Sequence, residues 1–149
     1  MLKPKILVVD DEETLRNLLK EVLEEDGLDV EIAINGQEAL EKFSQRKHNI
    51  VFTDLKMPGI SGIEVLKAVK DADPDTEVVI ITSNASLGTA TEAVRLGAYE
   101  YIIKPFENLN AVISLAYRAF EKYKVNKDRK QMLEDLQRKN VELEQKNEM

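Results

Sequence analysis

The chain of 149 residues contains no cysteine, a single histidine and no excess of positive charge. Without cysteine it forms neither a disulfide framework nor a thiolate metal site, and a reducing compartment fits this composition. The histidine, His48, leaves little material for a histidine metal site or a catalytic dyad, and its polar run SQRKHN predicts a solvated loop residue. The net charge of −7 argues against direct binding to nucleic acid, which depends on clustered Lys and Arg.

Long hydrophobic runs are also missing. The start, MLKPKILVVDD, has only a short apolar run followed by charge, which is too little for a signal peptide or a membrane span. The hydrophobic content of 43% is nevertheless sufficient for a core of one ordinary domain. We therefore expect a cytoplasmic protein that does not contact a membrane.

Five short apolar runs recur along the chain, and helical patterns lie between them. Several runs are apolar throughout, as in strands of a parallel sheet that are covered on both faces. The alternation predicts an α/β fold, a doubly wound five-stranded parallel sheet. The runs are ILVV (6–9), VEIAI (30–34), IVFT (50–53), VVIIT (78–82) and YIIK (101–104). The first helical pattern comprises Leu15, Leu18, Leu19, Val22 and Leu23 before Gly27, and the fourth comprises Ala90, Ala93, Val94 and Leu96 before Gly97.

Chemistry-bearing residues follow the predicted strands. In open parallel sheets such residues gather at the carboxyl ends of the strands. If the first and third strands are neighbours, their acids repel one another unless a cation joins them, and an oxygen-only ligand set suits Mg²⁺. The residues are Asp10 and Asp11 after the first strand, Asp54 after the third, Thr82 and Ser83 after the fourth, and Lys104 after the fifth.

A simpler interpretation of the first acids is that Asp11 caps the first helix while Glu12 and Glu13 complement its dipole. That interpretation accounts for the two glutamates. It does not explain why Asp10 and Asp54 share one edge of the sheet with Lys104.

Four ordered motifs, VVDDE, VFTDLKMPGISGIEVL, VVIIT and GAYEYIIKPF, resemble the receiver domain of two-component response regulators from residue 5 to about residue 124. The resemblance implies a flavodoxin-like (βα)5 fold with strand order 2-1-3-4-5. It also implies a signalling phosphoacceptor whose partner is a sensor histidine kinase or a phosphotransfer protein. Such a protein is not an enzyme beyond its own phosphorylation and dephosphorylation.

The resemblance also implies roles for individual residues. Asp54 accepts the phosphoryl group. Asp11 binds Mg²⁺ directly and Asp10 binds it largely through water, while the Asp54 carboxylate and the Lys56 main-chain carbonyl complete the protein ligands. Lys104 neutralises the phosphoryl group, and a cis bond joins it to the following proline.

A second group of implied roles concerns switching. Thr82 and Tyr101 move together on phosphorylation. The alternative for Tyr101 is a half-buried aromatic residue with a hydrated hydroxyl group. Lys56 and Asn84 tune the lifetime of the aspartyl phosphate. Ser83 departs from the small apolar residue that is commoner in the family.

The final helix is expected to begin near Asn108 and to continue without interruption, because residues 125–149 contain neither Gly nor Pro. We expect a receiver domain at 1–124 and, at 125–149, a helical extension that links to an output module beyond the chain. A homodimer would form through the face of the fourth helix and fifth strand, through the extension, or through both. The expected buried residues are Val112, Leu115, Ala116 and Ala119.

A parallel two-stranded coiled coil is predicted for the extension, with Lys139 at position g facing Glu144 at position e of the second helix. The pattern covers scarcely two heptads, so a solvated or frayed helix is the alternative. The residues at a and d are Leu133, Leu136, Asn140, Leu143 and Asn147.

Two other functions fit the sequence pattern less well. One is a receiver-like interaction or dimerisation module that works without phosphorylation, which would not need the complete set of acids, Thr82 and Lys104. The other is an enzyme or cofactor carrier of similar topology, such as an aspartate-dependent phosphatase or a flavin protein. Such a protein would have two acids separated by a spacer residue, or a phosphate-binding loop rich in Ser, Thr and Gly, after the first strand. The sequence DDE at this position has neither.

Overall fold

The computed structural model describes residues 3–83, 85–104 and 108–147. Within these ranges strands and helices alternate five times, as predicted. The strands are β1 (Lys5–Val9), β2 (Asp29–Ala33), β3 (Ile50–Asp54), β4 (Glu77–Thr82) and β5 (Glu100–Ile103). The helices are α1 (Glu13–Glu25), α2 (Gly36–Gln45), α3 (Gly62–Ala72), α4 (Leu87–Arg95) and α5 (Leu109–Asn147).

All five strands are parallel and lie in the order β2-β1-β3-β4-β5, which confirms the predicted topology. Val9 of β1 pairs with Thr53 of β3, and Asp54 pairs with Ile81 of β4. The carboxyl ends of these three central strands are therefore level. Residues that follow them lie at one edge of the sheet.

Each face of the sheet carries its own hydrophobic core. In β1, Ile6 and Val8 belong to the core formed with α1 and α5, whereas Leu7 and Val9 belong to the core formed with α2, α3 and α4. Successive side chains of a strand point to opposite faces, so a strand covered on both sides needs apolar residues throughout. Each such side chain contributes roughly 1.5–3 kcal/mol on full burial.

The ends of the helices follow local sequence signals. Gly27 follows α1 with φ of +88°, a conformation that side chains with a Cβ atom rarely adopt, so it ends the helix as predicted. Asn35 caps α2 by accepting a hydrogen bond from the Glu38 amide. Ser61 and Glu64 form a capping box at the start of α3.

One sequence prediction is wrong. His48 is not a solvated loop residue, because it is only 2% exposed, stacks on Phe43 and pairs through Nε2 with Glu31 at 2.8 Å. Burial lowers its pKa, although Glu31 opposes that effect. The fourth helical pattern does form a helix, α4, in which Ala93 is buried and Val94 is 70% exposed.

Helix α5 begins at Leu109, one residue after the predicted Asn108, and continues without a break to Asn147 over about 58 Å. Its first part buries the predicted residues Val112, Leu115, Ala116 and Ala119. Its second part leaves large apolar side chains more than half exposed. These exposed side chains are Met132, Leu133, Leu136, Val141 and Leu143. None of the helices in the described part of the chain has both the length and the apolar character of a membrane span.

Candidate functional site

Three carboxylates meet at the carboxyl edge of the sheet. Asp10 follows β1 directly, Asp11 is next to it, and Asp54 is the last residue of β3. One oxygen from each lies within 4.8 Å of the others, so the structure brings together the acids that the sequence places at this edge. Asp10 is buried, Asp54 is half-buried and Asp11 is exposed. The cluster is therefore open to solvent on the side of Asp11.

Lys104 joins two of these acids. Its Nζ donates to Asp10 Oδ2 at 3.0 Å and to Asp54 Oδ2 at 3.4 Å, and all three side chains are largely buried. Burial alone would lower the pKa of Lys104, but the hydrogen bond to Asp10 and the two negative charges outweigh it and raise the pKa. Lys104 is therefore a fixed positive charge beside Asp54.

Main-chain groups orient the other carboxylate oxygens. The Glu12 amide donates to Asp10 Oδ1 at 2.9 Å, and the Leu55 amide donates to Asp54 Oδ1 at 2.7 Å. The N-cap of α1 is Glu12, and within the described residues no side chain caps this helix. The simpler interpretation, in which Asp11 is the cap, is therefore not what the structure shows.

Arg16 contributes to the site, and the sequence predictions did not include it. Its Nη1 donates to the main-chain carbonyl of Asp10 at 2.9 Å, and the side chain is 9% exposed. The bond ties α1 to the segment that carries Asp10 and Asp11. Arg16 precedes Leu19 and Leu23 by three and seven positions, so a charged residue within the apolar stripe of α1 was the available signal.

The loop after β3 closes tightly against Asp54. The Gly62 amide donates to the Leu55 carbonyl at 2.8 Å, and a Cβ atom at position 62 would overlap the Asp54 carbonyl oxygen. Met57 packs into the core beside this loop, while the Lys56 side chain is exposed. Glycine is needed at position 62 because the two backbone segments touch there.

The predicted switch residues occupy β4 and β5. Thr82 is buried at the end of β4, and its carbonyl accepts a hydrogen bond from the Lys104 amide at 2.8 Å. Tyr101 is half-buried, and its hydroxyl group lies 2.9 Å from Thr89 Oγ1 in the first turn of α4. The remaining predictions, Asn84 and the Lys104–Pro105 bond, involve residues outside the described ranges.

The donor set fits a hard divalent cation. Three ionised carboxylates and one ammonium leave a formal charge of −2 at the site. Burial and the nearby charge of Asp10 raise the pKa of Asp54, although Lys104 and the Leu55 amide oppose that rise. Burial and the charge of Asp10 thus both disfavour the ionised form of Asp54, and oxygen ligands of this kind suit Mg²⁺.

The raised pKa leads to a stability prediction for Asp54→Asn without Mg²⁺. Folding raises the pKa above its ordinary value of 3.8, so the folded state binds the proton more tightly than the unfolded state does. Stability therefore falls as the pH rises from 3.8 through the folded-state pKa, and the penalty is complete above it. The variant should melt at a higher temperature than wild type at pH 7, and the difference should shrink as the pH is lowered toward 3.8.

Thermal unfolding by circular dichroism across this pH range measures the effect. Asp71→Asn, the same chemical change at an exposed position of α3, is the control and should show no such trend. A lower melting temperature for Asp54→Asn at pH 7, or a gain independent of pH, would refute the proposed destabilisation by the ionised Asp54 carboxylate.

Comparison with known proteins shows which family this chain belongs to. The model of the response regulator receiver domain matches residues 6–116. Sporulation initiation phosphotransferase F of Bacillus subtilis is 38% identical over 107 residues, which are 72% of this chain and 86% of that protein. Chemotaxis protein CheY of Thermotoga maritima is 33% identical over 112 residues, 74% of this chain and 93% of that protein.

Longer relatives and solved structures agree with this comparison. Regulatory protein AtoC of Escherichia coli is 37% identical over 114 residues, 75% of this chain but 25% of that protein. The chain thus spans about a quarter of the length of such relatives. The CheY-like receiver domain protein of Methanospirillum hungatei superposes with a TM-score of 0.81 at 28% identity, over 84% of this chain and 99% of that one. On the match to the family model and the identity to these relatives, this chain belongs to the response regulator receiver domain family of two-component systems.

Proposed function

We propose that the chain accepts a phosphoryl group on Asp54 in a Mg²⁺-dependent reaction. The donor is a phosphohistidine on a sensor histidine kinase or a phosphotransfer protein. The observation that supports this most strongly is the convergence of Asp10, Asp11 and Lys104 on the Asp54 carboxylate at an edge of the sheet that is open to solvent.

The chemistry requires few groups. A carboxylate oxygen of Asp54 attacks phosphorus, the bond from phosphorus to the donor imidazole nitrogen breaks, and its electron pair leaves with the nitrogen. No separate base is needed, because the ionised carboxylate is already the nucleophile. Lys104 neutralises charge on the transferred group, which is the main requirement of phosphoryl transfer besides positioning.

Asp10, Asp11, Asp54 and the Lys56 main-chain carbonyl would hold the magnesium ion. When bound, Mg²⁺ supplies positive charge to the phosphoryl oxygens and removes the repulsion between the acids. Without a phosphorylation function, the crowded carboxylates would cost stability with no compensating use. This is why the phosphorylation-independent module is the weaker proposal.

Phosphorylation adds about −1.5 to −2 charge at Asp54 and three acceptor oxygens. We propose that Thr82 responds to this group and that Tyr101 moves with it, which requires the contact between Tyr101 and Thr89 to break. The equilibrium between two arrangements of α4 and β5 would then shift. Lys56 and Asn84 are proposed to tune the lifetime of the phosphate.

The domain organisation belongs to the same proposal. Residues 1–124 form the receiver, and 125–149 form an extension that links it to an output module and pairs with a second copy of the chain. Leu133, Leu136 and Leu143 are each more than half exposed, which supports a paired helix. The α4–β5 face is a second surface through which a homodimer is proposed to form.

The coiled-coil proposal predicts that Leu136→Ser with Leu143→Ser abolishes pairing of the extension. Both residues occupy d positions, where apolar contact drives association. Sedimentation velocity should give a dimer for wild type and a smaller species for the double variant. Val141→Ser changes an equally exposed apolar residue outside the a and d positions and should not alter sedimentation. Identical sedimentation of all three proteins would exclude this dimer.

Intact mass spectrometry after incubation with Mg²⁺ and acetyl phosphate tests the proposed function itself. Uptake should add the mass of one phosphoryl group per chain. No gain with any of several donors would exclude phosphorylation and favour the interaction module.

A further inference from the structure

A second group of acids lies at the opposite edge of the sheet, between α3 and β4. Asp73, Asp75 and Glu77 are 5%, 4% and 1% exposed. Acids are almost never buried to this extent unless a positive charge accompanies them. We call these three residues the acidic docking site.

The positive charges come mainly from α5. Lys122 Nζ lies 3.5 Å from Glu77 Oε2, and Lys130 Nζ lies 3.0 Å from Asp75 Oδ2. Lys127 Nζ reaches both Asp73 at 3.8 Å and Asp75 at 3.5 Å. These lysines are spread over two turns of α5, at the boundary between the receiver and the extension.

We propose that the acidic docking site binds the basic stretch of α5 from Lys122 to Lys130. This contact fixes the direction in which the helix leaves the receiver. The part of the extension that is free to pair or to move then begins after Lys130. The contact is made within one chain and is separate from pairing of the extension with a second copy.

The lack of hydrogen bonds to several oxygens of these acids supports a role for pairing with positive charges. Asp73 Oδ2 and both carboxylate oxygens of Glu77 are buried and have no hydrogen-bond partner among the described residues. Lys70, the one lysine of α3 that approaches Glu77, is 3.9 Å away. Glu77 is therefore shared between Lys70 and Lys122, whereas Asp73 and Asp75 pair with Lys127 and Lys130 of α5.

The docking site is also held by hydrogen bonds that do not involve α5. The Asp75 amide donates to Asp73 Oδ1 at 3.1 Å, and Lys70 Nζ donates to the Pro74 carbonyl at 3.1 Å. Aromatic rings hold the lysines in place, since Lys127 Nζ lies 5.6 Å from the centre of the Tyr123 ring. A rigid acceptor and oriented donors reduce the entropy cost of the contact.

The contact attaches α5 to a strand of the proposed signalling site and to the segment that precedes this strand. β4 begins at Glu77, which pairs with Lys122, and ends at Thr82 beside Lys104. Lys122 thereby joins α5 to the central sheet, and Lys127 and Lys130 join the first turns of the extension to Asp73 and Asp75 just before β4. A rearrangement around Thr82 would therefore act on α5 while its lysines remain bound to the acidic docking site.

Amide hydrogen exchange in unphosphorylated protein without Mg²⁺ tests the proposal. In Lys127→Gln/Lys130→Gln, amides of residues 124–131 should exchange about tenfold faster than in wild type, because local opening no longer breaks these ion pairs. Asp75→Asn should give a similar acceleration. Combining the three substitutions should add little, because both variants remove the same contact.

Arg118→Gln/Arg129→Gln is the matched control, since it removes two exposed positive charges from the same helix without touching the acidic docking site. Its exchange should equal that of wild type. Amides of β1 report whether each variant remains folded. For wild type, raising the salt to about 1 M should accelerate the same amides of α5, because it screens half-exposed ion pairs.

Unchanged exchange in both the lysine variant and Asp75→Asn would overturn the proposal. So would acceleration in the lysine variant alone, because protection would then come from elsewhere, such as pairing with a second copy. Since neither phosphodonor nor Mg²⁺ is present, failure here would leave the proposed phosphorylation of Asp54 unaffected.

Discussion

Asp54→Asn should gain no mass when it is incubated with Mg²⁺ and acetyl phosphate, whereas wild type should gain one phosphoryl group per chain. The amide has nearly the shape of the carboxylate, so the hydrogen bond from the Leu55 amide can persist. It lacks the negative charge that makes the carboxylate a nucleophile. Loss of uptake would therefore reflect chemistry rather than collapse of the site.

Asp71→Asn is the matched control for this experiment, because it makes the same substitution at an exposed position of α3. It should take up phosphate as wild type does. Uptake by Asp54→Asn at the wild-type rate would mean that another residue is the acceptor.

Lys104→Met should slow phosphorylation at saturating Mg²⁺ on the order of a hundredfold, the loss typical of removing one preorganised charge-stabilising group. Methionine fills similar space without the ammonium group that lies 3.4 Å from Asp54 Oδ2 and 3.0 Å from Asp10 Oδ2. Removal also leaves two largely buried carboxylates uncompensated, so stability without Mg²⁺ should fall by about 3–5 kcal/mol. Time courses of intact mass measure the rate, and urea unfolding measures the stability.

Lys67→Met controls for loss of a positive charge, since Lys67 is exposed on α3. Its rate and stability should match those of wild type. Far-ultraviolet circular dichroism must show that Lys104→Met is folded under the conditions of the rate measurement. A folded Lys104→Met variant with a rate within twofold of wild type would show that Lys104 does not stabilise the transferred group.

The meeting of Asp10, Asp11 and Asp54 could be predicted because it depends only on where strands end, which the sequence marks, and on which strands are neighbours, which the family resemblance implied. Apolar runs mark the strands, and parallel strands end at a common edge. The same reasoning placed Lys104 at this edge. The course of α5 was also predictable, since the absence of Gly and Pro after Val125 leaves no signal to end the helix.

Buried polar residues with distant partners could not be predicted in this way. His48 lies in a polar run, and its burial depends on Glu31, which is 17 positions away in sequence. Asp75 lies in DADPDTE, which has the composition of an exposed turn, and its partner Lys130 is 55 positions away. Local sequence patterns do not predict pairs between residues so far apart in the chain. Arg16 was detectable only as a charged residue on a buried face of α1.

The acids at the two edges of the sheet use different means of compensation. At the carboxyl edge, Lys104 offsets only part of the charge around Asp54, and the remainder suits a divalent cation and then a phosphoryl group. At the amino edge, the lysines of α5 reach Asp73, Asp75 and Glu77. The first site is therefore suited to exchange its ligands, and the second to hold one helix.

Chemical trapping of the modified residue is the most direct measurement. After incubation with Mg²⁺ and acetyl phosphate, borohydride reduces an acyl phosphate to the alcohol, so peptide mapping should find homoserine in place of Asp54 and only when Mg²⁺ was present. Homoserine at a different acid, or trapping at Asp54 that is equally efficient without Mg²⁺, would contradict a cation-assisted phosphoacceptor at this position.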